Sequence, residues 1–402
     1  MGGTNSAPPD WVLLTDAQER GVVGAARGLK STGRYNVAAA GGRFPAATHW
    51  SRDCDQRLRL PDPGRNVVGF VKALETVVRR GRYAVLIPGG EAAMVAISAH
   101  RHLFEPHTKL GLPPHHVVER SYEKARVLDD AAAALLAPPP SVVCLSHPEA
   151  RAAASDMGFP VMIKPARSEV VDEPAGLQRH EASRMAWDGV ALDHTLHRFG
   201  VPIIIQRYEQ DPSVLSVAGV IAEGRLLAVA TSRYHRTWQP WAGSASSSQT
   251  VSTPPELATK VQGFLARMGW QGIFEVELLA MDESRFALID FNPRVYGSLS
   301  LAIEAGANLP AVWCDWLLGR SPVPILARPN IRYRWEEGEA YNLLWRIRHG
   351  KITEAGSVLR PQRGVVHALF RYRDPGPLIA GIFYAALTTL RRGRRSRLRP
   401  SA

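Results

Sequence analysis

The chain has 402 residues, enough for roughly two to three domains, and its 45% apolar and 21% charged content is that of an ordinary globular protein. Its three cysteines, Cys54, Cys144 and Cys314, are far apart with no CxxC pair. That argues against a disulfide framework or a structural zinc site and suits a reducing cytoplasm. The net charge of +12 sits largely in the tail, where residues 371–402 hold eight Arg against one Asp, so the charge says little about partners of the main body.

The N-terminus lacks a basic region followed by an apolar core, so no signal peptide is expected. Trp11 to Asp16 opens as an apolar strand, and residues 21–29 follow as a helix. Asn36 to Ala40 is the next strand, Asn66 to Arg80 has helical periodicity, and Tyr83 to Pro88 is a buried strand. This alternation predicts a parallel sheet with helices on both faces over residues 1–117. Ligands of such sheets bind beyond the carboxyl ends of strands, which places Asp16, Gly89, Gly90 and Glu91 near a site. The glycines match no G-x-G-x-x-G fingerprint, so no dinucleotide is predicted, and tight turns are their expected role.

Residues 121–137 read as a helix with Lys124 in its first turn, stopped by Pro138-Pro139-Pro140. A strand at 141–145, a helix at 148–157 and an apolar strand ending in Lys164 come next. A lone ammonium closing a buried strand is costly and calls for an anionic partner. The polar segment 166–172 reads as a loop. A second apolar strand, 201–205, runs into Gln206, Arg207, Tyr208 and Glu209. Residues 215–230 form a hairpin turning at Glu223-Gly224. Arg233 and Arg236 follow, able to grip phosphate through forked donors. The Ser-rich stretch 244–248 is either a linker or a substrate-side loop, and Pro255 to Met268 is a helix.

The most informative segments are Gly272 to Ala280 and Ala287 to Ser300. In a strand alternate residues share a face, so Glu275 projects with Glu277, and Asp290 with Asn292. Carboxylates in this number need charge compensation, and hard oxygen donors suit Mg²⁺ held partly by phosphate oxygens.

Ile289-Asp-Phe-Asn-Pro-Arg-Val295, with the Lys164 strand and the 201–209 strand before it, resembles ATP-grasp ligases, especially the carbamoyl-phosphate synthase and biotin carboxylase branch. The resemblance spans about residues 11–320. It implies an α/β and α+β chain: a Rossmann-like domain at 1–117, a two-lobed ATP-grasp domain at 118–322, and a small helical extension with a basic tail at 323–402. It further implies ATP with Mg²⁺ or Mn²⁺ as cofactors, the metal on Glu277, Asp290 and Asn292. Lys124 and Lys164 would meet phosphate. Gln206 and the backbone of Arg207 and Tyr208 would receive adenine. Glu209 or Asp211 would serve the ribose, since Ser213 stands where a carboxylate is common. Arg294, Arg233 and Arg236 would meet substrate or the transferred phosphoryl group, and segment 166–172 would cover the triphosphate. The implied reaction joins a small-molecule carboxylate to an amine through an acylphosphate. Its rivals are a bicarbonate-using carboxylase or carbamoyl-phosphate-type enzyme, and a non-catalytic nucleotide-binding scaffold at a membrane.

Past residue 330, Trp335, Tyr341 and Trp345 punctuate a helical pattern. Residues 377–390 are apolar and an Arg run follows. Fourteen residues cannot span a bilayer of roughly 30 Å as a helix. The stretch is either an interfacial helix contacting anionic membrane from the cytoplasmic side, or a helix docked on the core with a solvated tail. No nucleic acid is expected. A homodimer is compatible with the sequence, which leaves the oligomeric state open.

Overall fold

The computed structural model describes residues 8–42, 44–166, 169–172, 176–179, 183–209, 213–240, 243–282, 284–360 and 363–397; everything below concerns these. The first sheet is parallel throughout, in the order β3-β2-β1-β4-β5. Its strands are β1 (Asp10–Leu14), β2 (Tyr35–Gly41), β3 (Gln56–Arg59), β4 (Val85–Ile87) and β5 (Lys109–Leu110). The connecting helices are α1 (Arg20–Ser31), α2 (Val67–Val78) and α3 (Glu91–Ala99). Helix α2 starts where the sequence supplies a cap: the Asn66 side chain accepts from the N–H of Gly69. It buries Phe70, Val71 and Leu74 against the sheet, each contributing about 1.5–3 kcal/mol.

Two helices, α4 (His115–Tyr122) and α5 (Lys124–Ala133), lead away. The sequence predicts one helix from 121 to 137; instead the backbone breaks at Glu123, and Lys124 becomes the first residue of α5. A small lobe follows. It contains β6 (Ser141–Cys144), α6 (His147–Met157), β7 (Val161–Pro165), β8 (Glu169–Asp172), β9 (Gly176–Arg179), β10 (Arg184–Ala186), α7 (Gly189–Leu196) and β11 (Ile203–Arg207). Its main sheet runs β10-β7-β11-β6, and β8 pairs with β9 alone. Cys144, Ile163, Leu196 and Ile205 belong to a core of this lobe's own. The N-terminal sheet and the large lobe instead share one core, in which Leu86 and Phe70 join Phe264 and Phe274. A lobe with a private core can move as a unit.

The large lobe is built on one sheet, with β12 (Ser213–Ala222), β13 (Arg225–Trp238), β14 (Ser244–Val251), β15 (Gly272–Ala280) and β16 (Phe286–Asn292). The expected hairpin turn is present, with Glu223 and Gly224 both at positive φ. Helix α8 (Pro255–Met268) covers one face and ends at Gly269, left-handed at φ 71°. Helices α9 (Leu299–Glu304) and α10 (Leu309–Leu317) pack on the other side with α1.

The segment expected as a separate helical extension is part of this sheet. Strand β17 (Ile325–Leu326) pairs with β13, β18 (Arg332–Arg334) with β14, and β19 (Val365–His367) with β18. The Ser-rich stretch is likewise neither linker nor loop but β14, with Ser246 and Ser248 buried. Its short hydroxyls fit between paired strands, and Ser246 finds its partner in Glu339. Beyond lie α11 (Glu336–Arg348), α12 (Ile352–Leu359) and α13 (Gly376–Arg397). The start of α13 is docked: Ala380 is buried, and Asp374 just before it pairs with buried Arg27 at 2.9 Å. Ile382 and Phe383 on α13 are exposed. No described helix is long and apolar enough to cross a membrane.

Candidate active site

The carboxylate pattern forms as strand periodicity requires. Strands β15 and β16 are antiparallel, with Glu275 opposite Asn292 and Glu277 opposite Asp290, so all four share one face. Asn292 donates to Glu275 Oε2 at 3.2 Å, and Ser216 Oγ to Glu275 Oε1 at 2.8 Å. Tyr234, from β13, lies over the pair and donates to Glu277 Oε1 at 2.9 Å. Burial first, and then Glu275 and Asp290, push the Glu277 carboxyl well above its usual range. Burial likewise raises Glu275.

Two ammonium groups approach from other elements. Lys124 Nζ is 3.7 Å from Asp290 Oδ1, and Lys164, closing β7, donates to the carbonyl of Ile289 at 2.8 Å. Burial, and secondly Lys124, lower the Lys164 ammonium to about 8. Lys124, Lys164, Gln206 and Asp290 thus line one crevice between the lobes. At about 20 Å³ it is narrow.

Beyond the carboxylates a larger cavity of about 370 Å³ opens toward the N-terminal sheet. Its walls include Glu275, Glu277, Asn292 and Arg294 on one side, and Asp16, Gln18 and Glu91 on the other. Arg294 donates to Glu91 Oε1 at 3.0 Å and to Asn292 Oδ1 at 3.3 Å, tying the end of β16 to the start of α3.

Several predicted residues sit elsewhere. Arg236 directs its fork at Glu339 of α11, at 3.0 and 2.6 Å, and so braces that helix against the sheet. Arg233 alternates with Tyr234 and is exposed on the opposite face of β13. The adenine donors expected on Arg207 and Tyr208 are engaged: their N–H groups donate to Pro140 and Pro160 carbonyls at 2.9 and 3.3 Å. Strand β11 is interior to its sheet, flanked by β6 and β7, which occupies both of its edges. Gln206 is buried and donates to Ser141 Oγ, while Glu209 pairs with the Arg207 side chain at 2.9 Å. Ser213 opens β12; Asp211, and residues 167–168 of the covering segment, lie outside the described residues. Tyr234, which meets Glu277, belongs to no motif in the sequence. Its alternation with Arg233 was the available signal, but the face it shares was set only by pairing with β12.

The chain is similar in fold to known proteins. One family profile, described as ATP-grasp in the biosynthetic pathway with Ter operon, matches residues 214–339, from β12 into α11. The chain has the ATP-grasp fold. The biotin carboxylase domain of 2-oxoglutarate carboxylase from Hydrogenobacter thermophilus, solved with MgADP, ADP and bicarbonate, superposes with a TM-score of 0.60 at 14% identity. That match covers 80% of this chain and 73% of that one. N5-carboxyaminoimidazole synthetase from Staphylococcus aureus, complexed with ADP, gives 0.62 at 11% identity over 82% and 83%. An L-amino acid ligase from Bacillus licheniformis gives 0.56 at 13% over 78% and 75%. No curated protein matches the sequence.

Proposed function

We propose that this chain is an ATP-dependent ligase that activates a carboxylate as its acylphosphate for attack by an amine. The observation that carries the reading is the convergence of Lys124 and Lys164 on the Glu277–Asp290 pair from separate elements. The donor set suits Mg²⁺: two carboxylates and an amide, Glu277, Asp290 and Asn292, crowded enough to raise Glu277. Among the described residues, no three His, Cys, Asp or Glu could hold a metal by themselves, and Mg²⁺ commonly completes its shell with phosphate oxygens and water. When bound, it would neutralise phosphate charge and align the γ-phosphoryl group. Lys164 and Lys124 hold the phosphates, Arg294 orients the substrate carboxylate, and Tyr234 fixes the Glu277 rotamer. The carboxylate oxygen attacks γ-phosphorus as the bond to ADP breaks. The amine nitrogen then attacks the acyl carbon, loses a proton and expels phosphate. No side-chain nucleophile is needed; positioning and charge neutralisation do the work.

ADP in the complexes of the two structures named above supports ATP as the nucleotide here. A peripheral contact with anionic lipid would rest on the exposed Ile382 and Phe383 together with the Arg run after residue 390. The ligase reading is tested by phosphate release from ATP and Mg²⁺ with pooled carboxylates and amines. Release is expected only when both pools are present, and Asp290→Asn should abolish it. Release that ignores the amine pool would refute an amine ligase.

A further inference from the structure

One end of the large cavity is built by the N-terminal sheet, and the phosphoryl chemistry leaves it unused. The strand order reverses between β1 and β4, so the loops leaving their carboxyl ends diverge to open a crevice. Asp16 follows β1, and Gly89-Gly90-Glu91 follows β4. Asp16 has a φ of 56°, a conformation that side chains other than Gly, Asn and Asp rarely adopt. The glycines permit a close approach: a Cβ on Gly89 would lie 2.5 Å from the Thr15 carbonyl oxygen, and one on Gly90 2.9 Å from Asp16 Cγ. The backbone therefore closes around the Asp16 carboxylate, which accepts from Thr15 Oγ1 at 2.5 Å and from the Gly90 N–H.

That carboxylate is 8% exposed and lines the cavity, and among the described residues it has no cationic partner. Glu19 and Asp62 add negative charge beside it, and the guanidinium groups on the same cavity, Arg20 and Arg65, are turned to the Trp335 ring and to Asp62. On the same loop and the same wall, the buried Gln18 Oε1 has no donor. On one cavity wall, then, Asp16 has hydrogen bonds but no cation, and Gln18 Oε1 has no donor. Asp16 and Gln18 offer one carboxylate and one amide oxygen, fewer hard donors than the Glu277, Asp290 and Asn292 set. A primary ammonium group supplies what is missing: one positive charge and three N–H donors.

We propose that this crevice is the amine-recognising subsite, where Asp16 and Gln18 receive the primary ammonium group of a small-molecule substrate. The assignment deepens the ligase reading and rests on it for the identity of the reaction, though not for binding. It makes the site selective, because a hydroxyl in place of the ammonium leaves a buried carboxylate without its cation.

The test is calorimetry at about pH 8 without nucleotide. The probes are ethanolamine, 1,4-diaminobutane and L-alanine, with ethylene glycol, 1,4-butanediol and lactate as their hydroxyl counterparts. At least one amine should bind the native protein, its counterpart should not, and Asp16→Asn should weaken that amine at least about tenfold. Asn tolerates the left-handed backbone, so this variant retains the fold, as circular dichroism would verify. Glu19→Gln, which removes an exposed neighbouring charge, should change binding less than about twofold. The proposal is overturned if no amine binds, if the hydroxyl counterpart binds equally, if Asp16→Asn binds as the native protein does, or if Glu19→Gln costs as much. Amine binding without any amine-dependent phosphate release would keep the subsite and sink the ligase. Amine-dependent release with an unchanged amine KM in Asp16→Asn would keep the ligase and sink the subsite.

Discussion

Asp16→Asn should also stabilise the ligand-free protein at neutral pH. Burial foremost, with the charges of Glu19 and Asp62, pushes the Asp16 carboxyl up from 3.8 to about 6, against the lowering hydrogen bonds from Thr15 and Gly90. Between those two values the folded chain keeps a proton that the unfolded chain has lost. Stability therefore falls as pH rises through this window, and the penalty is constant above it. Two pH units at about 1.36 kcal/mol each give roughly 3 kcal/mol. Asn escapes that penalty but forfeits an acceptor, worth about 0.5–1.5 kcal/mol, so a net gain of about 1.5–2.5 kcal/mol is expected at pH 7. Urea unfolding of both proteins from about pH 4 to pH 8 is the assay. The difference should be near zero or slightly negative at the acid end and grow to its plateau above about pH 6. A variant less stable at pH 7, or a difference that ignores pH, would refute a buried carboxylate without a cation.

Lys164→Ala should cut ATP affinity more than about tenfold by removing a charge-assisted phosphate contact, and calorimetry giving an unchanged Kd in a folded variant would remove Lys164 from the site. Asp374→Ala leaves the buried Arg27 guanidinium without its carboxylate and should cost about 3–5 kcal/mol; a loss under about 1 kcal/mol in urea unfolding would contradict the burial. A cut at Arg373 should share that cost, because it removes Asp374. Deleting residues 391–402 spares both Asp374 and the docked start of α13, so ATP binding should persist. The intact chain should co-sediment with anionic liposomes, less so at high salt, and the shortened chain should not. Failure of the intact chain to pellet would end the membrane reading.

Local rules made much of the chain legible. The Asn66 cap, the Glu223-Gly224 turn and the strand–helix alternation of the first hundred residues depend on neighbours in sequence. The carboxylate face is also local in origin, because a period of two puts Glu275 with Glu277 and Asp290 with Asn292 whatever surrounds them. The resemblance carried by Lys164 and the 289–295 segment was enough to anticipate the ATP-grasp fold.

Period alone says which residues share a face, not which faces meet. Arg236 reads as a phosphate ligand until Glu339, 103 residues later, is folded against it. The serines of β14 read as a loop because a hydroxyl-rich strand lacks an apolar signature, and only β13 and β18 supply its hydrogen bonds. The donors of Arg207 and Tyr208 were free to meet adenine until the Pro140 and Pro160 carbonyls claimed them. Asp16 read as a strand-end acid beside turn glycines. Its burial, its lack of a cation and its place on the cavity wall arise from the reversal of strand order between β1 and β4 and the approach of the large lobe. Sequence determined the repeating elements and the donor types, since these follow from backbone periodicity. The tertiary structure decided which charges are paired and which await a ligand, since pairing requires proximity between residues far apart in the chain.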